Sequence, residues 1–360
     1  MKPLKSGHKK PLIKRLLRWL AIAIAFFICA SLVVTAALFH QVFGRNDLNV
    51  NEISLNYSDI DSNKYPRDTI TFQSGKTSLK GYIYNAGNTA EGLILIAHGI
   101  ASGADSYLPE IMYFIDSGWC VFAFDGTGTR TSDGKGIRGL PQTKLDVRAA
   151  LDYINSNAAL KDYPIVLYGH SMGGYAVTSI LGDKRSDISA VVSVSAFNSP
   201  LDMMYRQARG IVGGYANIEY PFIALYETIL FGKDANTTAV DGINATDTPV
   251  MIVYGTADDV VCYDTVAIAA FREKITNLNV VFYECDIEYR NGHDTIQLTR
   301  EAAQYLVAKR EELSALHTQY GKTLPTAEWA AFYEGIDHIL MNEVDTDYMQ
   351  AVVDFFHKWR

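Results

Sequence analysis

The stretch YGHSMGGY, residues 168–175, places a serine between two glycines directly after the short apolar run PIVL. The run is rich in β-branched residues, as strands are, and residues 172–183 have the spacing of a helix. A sharp turn from strand to helix needs small neighbours, and Gly169 and Gly173 have no Cβ atoms that would clash. Such a turn would lift the Ser171 hydroxyl above the sheet, at a helix amino end that favours developing negative charge.

Short apolar runs alternate with helical patterns along most of the chain. Continuous apolar runs, such as GLILIAHG and WCVFAFDG, are typical of strands that are buried on both faces of a sheet. Alternating strands and helices predict a mostly parallel sheet with helices on both faces. We predict strands at 68–73, 79–86, 92–99, 119–126, 164–171, 188–197, 249–255 and 279–286, and helices at 107–118, 140–157 and 172–183.

In this context YGHSMGGY is the G-x-S-x-G nucleophile elbow, and the sequence resembles the α/β-hydrolase superfamily over about residues 66–300. FDGTGTRTSDG (124–134) resembles the family's D-x-x-G-x-G-x-S-x-G loop, with Arg130 in place of the second glycine. GLPQTKLDVRAALDYI (139–154) resembles the helix before the nucleophile strand. The resemblance implies the α/β-hydrolase fold and a serine hydrolase of the lysophospholipase or serine-aminopeptidase-like branches.

A serine nucleophile needs a base, normally histidine, and the family's chain order is Ser, acid, His. His293 lies in the loop CDIEYRNGHDTI, just after the last predicted strand, and would project from the same sheet edge as Ser171. His317 and His357 fall inside helical patterns, which favours a surface position for both. We therefore predict His293 as the base and keep His338, which has no strand directly before it, as the reserve candidate.

The acid is expected after the preceding strand, because the family's pattern there is a strand, Gly, two residues and Asp. Gly255-Thr256-Ala257-Asp258 fits this pattern, so Asp258 is the predicted acid. Asp259 stands where the family often has proline and is expected to face solvent. Asp202, just after the sixth strand, would be a minority arrangement.

The tetrahedral intermediate needs two backbone N–H donors for its oxyanion. The residue after the nucleophile, Met172, is expected to supply one of them. His98-Gly99-Ile100 resembles the family's His-Gly oxyanion turn, and the Ile100 amide is the second predicted donor. His98 and His170 are expected to be structural.

The amino end of the chain carries a membrane signal. Residues 1–19 hold seven basic residues and no acid, and residues 20–43 form an apolar run without Asp, Glu, Lys or Arg. A helix of about 20 apolar residues spans a bilayer core, whereas the apolar part of a cleaved signal peptide usually has ~7–15 residues. The length predicts an uncleaved signal-anchor, with a cleaved signal peptide as the alternative. Basic residues stay in the cytoplasm, so the part after about Gly44 is expected outside the cell membrane.

After residues 1–19 the chain has 25 basic and 40 acidic residues, and this acidic balance is unsuited to binding nucleic acid through general charge.

The polar residues 44–66 predict a stalk, and residues 67–360 are predicted to form the hydrolase domain. Residues 198–248 are too long for a simple loop and predict a helical cap over the sheet's carboxyl edge, or else a pair of ordinary packing helices. After residue 294 further helical patterns follow, and the first, 295–317, resembles the family's closing helix.

Four cysteines are present. Cys29 lies in the apolar run and Cys120 is expected to be unpaired, so no disulfide framework is indicated. Cys262 and Cys285 follow adjacent predicted strands, and the pattern allows either one bridge or two free thiols.

Together these patterns predict a membrane-anchored serine hydrolase that cleaves esters of an acyl or lipid-like substrate. A serine peptidase of the same fold and a non-catalytic binding module on the cell surface are the alternatives. No cofactor and no metal are expected, because no Cys/His cluster has metal-ligand spacing. The expected partners are a small-molecule or lipid-like ester and the membrane, through the amino-terminal helix. The sequence does not identify a protein partner.

Overall fold

A computed structural model describes residues 10–45, 47, 55–87, 90–321 and 323–360. Its centre is an eight-stranded sheet with the order β1-β2-β4-β3-β5-β6-β7-β8. Strand β2 is antiparallel to both of its neighbours, and all other pairs are parallel. The mostly parallel sheet is therefore confirmed. The strands are β1 (Arg67–Ser74), β2 (Thr77–Tyr84), β3 (Leu93–Ala97), β4 (Cys120–Phe124), β5 (Ile165–His170), β6 (Ile188–Val194), β7 (Val250–Gly255) and β8 (Val280–Cys285).

Helices cover both faces of this sheet because successive side chains of a strand point to opposite faces. In β3, Leu93 and Leu95 belong to the core that contains the helices Gln142–Ser156 and Met172–Ser179. Ile94 and Ile96 belong to the core that contains the helices Leu108–Asp116 and Thr346–Trp359. The α-helices of the described residues are α1 (Lys10–Val42), α2 (Leu108–Asp116), α3 (Gln142–Ser156), α4 (Met172–Ser179), α5 (Pro200–Val212), α6 (Ala216–Phe231), α7 (Ala239–Asn244), α8 (Arg300–Tyr320), α9 (Thr326–Glu334), α10 (His338–Met341) and α11 (Thr346–Trp359).

The last helix to pack on the sheet, on the same face as α2, is not the one that the resemblance suggested. In α11, six side chains are buried, among them Tyr348 and Phe356, and they pack on the sheet. In α8 the buried residues are Ala302, Ala303 and Leu306, which form a separate small core with α9 and α10. The expectation that residues 295–317 form the closing helix is therefore corrected.

The apolar run at the amino end forms most of α1, a single helix of 33 residues. Its part Leu12–Val42 is long and apolar enough to cross a membrane, judged by length and composition. Residues 1–9 of the predicted cytoplasmic tail lie outside the described residues.

The segment predicted as a stalk over 44–66 is described in part, and the described parts lie on the domain. Gly44 pairs with Gly136 in an isolated bridge. Tyr65 is buried, and Tyr57 packs against the sheet core. Residues 46 and 48–54 lie outside the described residues. Apolar side chains within this polar segment account for the contact.

Three α-helices occupy the long insertion between β6 and β7. Helix α7 packs closely on α4, since a Cβ on Gly242 would lie 2.3 Å from the carbonyl oxygen of Thr178. Helices α5 and α6, in contrast, line a cavity that reaches Ser171.

All four cysteines are described, and all four are free thiols, so Cys262 and Cys285 form no bridge in this structure.

The turn between β5 and α4 is packed tightly against β3. An added Cβ on Gly173 would lie 2.0 Å from the carbonyl oxygen of Ala97, and one on Gly169 would lie 2.4 Å from that of Gly173. Side-chain carbons do not approach backbone atoms so closely, so only glycine fits at either position. These contacts hold Ser171 just beyond the carboxyl ends of β3 and β5.

The packing predicts that Gly173→Ala lowers the free energy of unfolding by about 2–3 kcal/mol, because an extra carbon is forced into packed backbone. Thermal or denaturant unfolding of the full chain in detergent measures this. Gly210→Ala is the matched control: Gly210 lies within α5, nothing lies within 4 Å of its added Cβ, and alanine is favoured over glycine in a helix by about 1 kcal/mol. A Gly173→Ala variant as stable as the wild type would contradict the observed packing.

Candidate active site

The nucleophile candidate Ser171 occupies a strained turn. Its backbone has φ 55° and ψ −115°, a conformation that L-residues rarely adopt and that costs about 1–3 kcal/mol. The Ser171 N–H donates to the carbonyl oxygen of Val194 at 2.8 Å, which ties the turn to β6. Strain of this kind is found where a side chain must be presented in one orientation.

The three residues that the sequence named as nucleophile, base and acid lie together. The Nε2 atom of His293 is 2.9 Å from Ser171 Oγ, and its Nδ1 atom is 2.8 Å from Asp258 Oδ2. The second carboxylate oxygen of Asp258 accepts the N–H groups of Val260 and Val261 at 3.0 and 2.7 Å. With Asp258 accepting the Nδ1–H proton, Nε2 is free to accept the proton of the serine hydroxyl.

The alternative residues lie elsewhere. Asp259 is exposed, and Asp202 lies in the first turn of α5, where its N–H donates to the Ser199 hydroxyl. His338 begins α10 and packs on the ring of Tyr333, with 4.7 Å between ring centroids. The structure thus brings Asp258 and His293, rather than these alternatives, to the serine.

Charges around His293 alter its protonation. Burial lowers the pKa of His293, but the hydrogen bond and the charge of Asp258, together with the charges of Asp294 and Asp259, raise the pKa above its ordinary 6.5. The neighbouring His170 is more deeply buried, and this burial, with the charge of His293, lowers the pKa of His170. The histidine that protonates more readily is therefore the one that contacts Ser171.

Two fixed hydrogen bonds orient the peptide group that links Gly99 to Ile100. The carbonyl oxygen of Gly99 accepts from Nδ1 of His98 at 2.7 Å and from the Ser102 hydroxyl at 2.9 Å. In a trans peptide the N–H points away from the C=O, so the Ile100 N–H is directed away from His98 and Ser102. Gly99 itself lies close to the serine, since its added Cβ would be 3.4 Å from Ser171 Cβ.

The other predicted donor, Met172, opens α4. The first N–H groups of a helix have no partner within the helix and are available to an anion. Ile100 and Met172 both line the same cavity as Ser171. Their role as oxyanion donors stays a prediction.

A hydrogen-bond chain that sequence reasoning missed joins the loops around the serine. The Tyr107 hydroxyl accepts from the Gly99 N–H at 3.0 Å and donates to Nδ1 of His170 at 2.9 Å. The other ring nitrogen of His170 donates to the carbonyl oxygen of His293 at 3.0 Å. His170 was expected to pack as a structural residue. Its position beside Ser171 was the one available signal, and no sequence pattern pointed to Tyr107.

The loop after β4 supports the same region. Arg130, which replaces the second glycine of the family's loop, adopts φ 48°, the left-handed conformation that glycine favours. The Asp125 carboxylate accepts the N–H of Ala104 at 2.9 Å, and the N–H of Gly126 donates to Nε2 of His98 at 2.9 Å. The loop therefore holds its geometry despite the substitution and fixes His98 behind the Gly99 peptide.

Two cavities meet at Ser171, and Ile100, Ser171 and Val260 line both. The first has a volume of about 420 Å³ and mostly apolar walls that come from α1, α5 and α6. The second has a volume of about 440 Å³ and includes His293 and several polar side chains, among them Glu110 and Arg310. Burial raises the pKa of Glu110 to about 7. We call the two the apolar cavity and the polar cavity.

Side chains of a kind that binds metals also occur here. Ligand atoms of His170, His293 and Asp294 lie within 4.8 Å of one another. Both ring nitrogens of each histidine already make hydrogen bonds, and Asp294 accepts from Arg310 at 2.8 Å. A metal ion at this cluster would have to displace hydrogen bonds that both histidines already make.

Comparisons with known proteins agree with this fold. Residues 88–221, a little over a third of the chain, match the family model described as serine aminopeptidase, S33. The Escherichia coli O157:H7 protein named "Uncharacterized protein YfhR" is 28% identical over 107 residues, which cover 29% of this chain and 37% of that protein. The match therefore spans well under half of this relative.

Solved structures give a longer match. One crystal form of the Pyrococcus furiosus esterase Pf2001 is similar with a TM-score of 0.56 and 17% identity, over 88% of this chain and 98% of that chain. A second crystal form gives a TM-score of 0.54 and 16% identity, over 85% and 97% of the two chains. At this identity the likeness shows the fold. We conclude that this chain has the α/β-hydrolase fold and that its residues 88–221 are similar to the serine aminopeptidase, S33 family.

Proposed function

We propose that this protein is a membrane-anchored serine hydrolase that cleaves carboxylic esters with an apolar acyl group. The observation that carries the proposal is the position of Ser171 between two unlike cavities, with His293 on the polar side. In acyl transfer the base later protonates the leaving group, so the leaving group must lie on the histidine's side. The alcohol part of the ester is then assigned to the polar cavity and the acyl part to the apolar cavity.

Acylation follows from the distances around the serine. As Ser171 Oγ attacks the carbonyl carbon, its proton passes to Nε2 of His293, which lies 2.9 Å from Oγ. Asp258 holds the Nδ1–H and stabilises the positive charge that forms on the imidazole. The carbonyl oxygen becomes an oxyanion that accepts the N–H groups of Ile100 and Met172, and each such donor is worth about 10²–10³ in rate. Collapse breaks the bond to the alcohol, which leaves with the proton from Nε2.

Deacylation reverses these roles. A water molecule gives a proton to His293 Nε2 as its oxygen attacks the acyl carbon. The bond between Ser171 Oγ and the acyl group then breaks, Oγ takes the proton back, and the free acid departs. The polar cavity, which the alcohol has vacated, gives this water its approach to His293.

The proposed location follows from α1. The helix has four basic residues, Lys10, Lys14, Arg15 and Arg18, all near its amino end, and it carries no Asp or Glu. Because basic flanking residues stay in the cytoplasm, α1 would cross the cell membrane once. Its amino end would then lie in the cytoplasm and the hydrolase domain outside the cell.

A peptidase is the second candidate, favoured by the description of the matching family model. The same serine, histidine and backbone donors would cleave an amide. The amino-terminal residue of a peptide would then lie in the apolar cavity, where Glu219 is the carboxylate that could meet its ammonium group. Aminoacyl p-nitroanilides therefore belong beside esters in any assay.

The proposal predicts serine-dependent hydrolysis of p-nitrophenyl esters by the full chain in detergent or nanodiscs. Ser171→Ala and His293→Ala should each lower kcat by about 1,000-fold or more, because nucleophile and base act as a unit. His338→Ala is the matched control, since His338 packs on Tyr333, and its kcat should match the wild type. Turnover of anilides alone would favour the peptidase. A folded wild type that hydrolyses neither substrate would refute the proposal.

The pKa of His293 predicts the pH profile. The reaction needs neutral His293, and because its pKa lies above 6.5, kcat/KM should fall as the pH drops through a midpoint above 6.5. Asp294→Asn removes a charge that raises this pKa, so the midpoint should move to lower pH. Asp286→Asn, an exposed acid that does not affect His293, is the control. An unchanged midpoint in Asp294→Asn would contradict the assignment of this titration to His293.

A further inference from the structure

Helix α1 is exposed along its first half and partly buried along its second. The buried residues recur every fourth position: Ser31, Thr35, Phe39 and Phe43. Residues spaced by four share one face of a helix, so α1 presents a single stripe to the rest of the protein. The stripe begins with small residues, which let helices approach closely within a membrane.

This stripe packs along helix α6. The rings of Phe39 and Tyr226 lie 5.0 Å apart, and those of Phe27 and Phe222 lie 5.7 Å apart. A third contact comes from Thr35, which lies between the two rings on α1 and whose hydroxyl donates to the Glu219 carboxylate at 3.4 Å. The anchor and the cap helix are therefore joined by contacts over about three turns.

The end of α1 is fastened to the domain as well. The Arg45 guanidinium donates to the carbonyl oxygens of Ser132 and Gly134 at 2.9 Å and of Arg130 at 2.7 Å. The Ile137 N–H donates to the carbonyl oxygen of Phe43 at 2.9 Å. These bonds leave no free linker directly after the helix, so the domain keeps a fixed orientation relative to α1.

The apolar cavity opens between α1 and the cap. Leu38 and Val42 from α1 and Ile211 and Val212 from α5 line the cavity, yet each is also exposed. They therefore form the rim of its mouth. The inner end of the cavity is at Ser171.

The position of the mouth along α1 matches the edge of a bilayer. Arg18 is the last charged residue of the helix before its apolar run. A hydrocarbon core takes about 20 helical residues, which places the outer boundary of the core near Leu38. The cap also exposes apolar side chains beyond the rim, including Tyr215, Ile218 and Ile229. Because Phe222 of α6 packs on Phe27, which precedes Leu38 on α1, part of the cap lies below this boundary, and its exposed apolar side chains are suited to contact with the hydrocarbon.

We propose that the anchor helix is itself a wall of the substrate cavity, and that the acyl chain of a membrane lipid enters sideways from the bilayer between Leu38, Val42, Ile211 and Val212. This inference rests on the proposed hydrolase function and names its substrate class, an acyl ester dissolved in the outer leaflet. The acyl chain passes from hydrocarbon to an apolar cavity without exposure to water, and the ester reaches Ser171 with its polar part toward the polar cavity. The anchor thus selects the substrate as well as holding the enzyme.

The test uses the full chain in phosphatidylcholine nanodiscs and two fluorophosphonates that differ only in their alkyl group, ethyl or hexadecyl. The rate of labelling at Ser171 is measured by intact mass and peptide mapping. Leu38→Trp narrows the mouth from the anchor side. Val34→Trp is the matched control, because Val34 lies one turn earlier on α1, is 49% exposed where Leu38 is 50% exposed, and does not line the cavity.

Leu38→Trp should slow labelling by the hexadecyl probe about tenfold or more, because the larger side chain overfills the mouth of the apolar cavity. Labelling by the ethyl probe should stay unchanged. Val34→Trp should label as the wild type does with both probes. If Leu38→Trp also loses ethyl labelling, Ile211→Trp repeats the test from the cap side. Hexadecyl labelling that neither mouth variant slows would overturn the inference, whereas a wild type that the ethyl probe does not label at Ser171 would overturn the proposed function instead.

Discussion

The contact between the backbone of Gly173 and the carbonyl oxygen of Ala97 is the constraint on which the active-site geometry depends. It presses the start of α4 against the end of β3, which leaves room for no side chain at Gly173 and forces Ser171 to φ 55°. The strain is balanced by the packing of the central strands β3 and β5, which are buried on both faces. Everything that could assist Ser171 must then come from loops at the same carboxyl edge.

Those loops are tied to one another as well as to the serine. Tyr107 and His170 connect the Gly99 loop to the His293 loop, so the proposed oxyanion donor and the base are positioned by one chain of hydrogen bonds. Asp258 orders its own loop by accepting two backbone N–H groups while it holds His293. In the proposed reaction, this one arrangement of polar groups would set the direction of attack, of proton transfer and of departure of the leaving group.

The sheet and the three central site residues could be predicted from the sequence because they rest on local patterns and chain order. Contacts between distant segments could not. Tyr107 and His170 are 63 residues apart, and Thr35 and Glu219 are 184 apart, and periodicity carries no information about such pairs. The prediction that residues 295–317 form the closing helix is wrong because it also depended on a long-range contact. Residues 295–317 and Thr346–Trp359 both have helical patterns, and only their packing decides which of the two lies on the sheet.

The central claim is that Ser171 carries the acyl group between the two half-reactions. The most direct measurement is to mix the full chain with a long-chain p-nitrophenyl ester, quench with acid within the first turnovers, and map the modified peptide by mass spectrometry. The account predicts an adduct of the acyl mass on Ser171, absent from Ser171→Ala. Turnover with no adduct on Ser171, or an adduct on another residue, would contradict it.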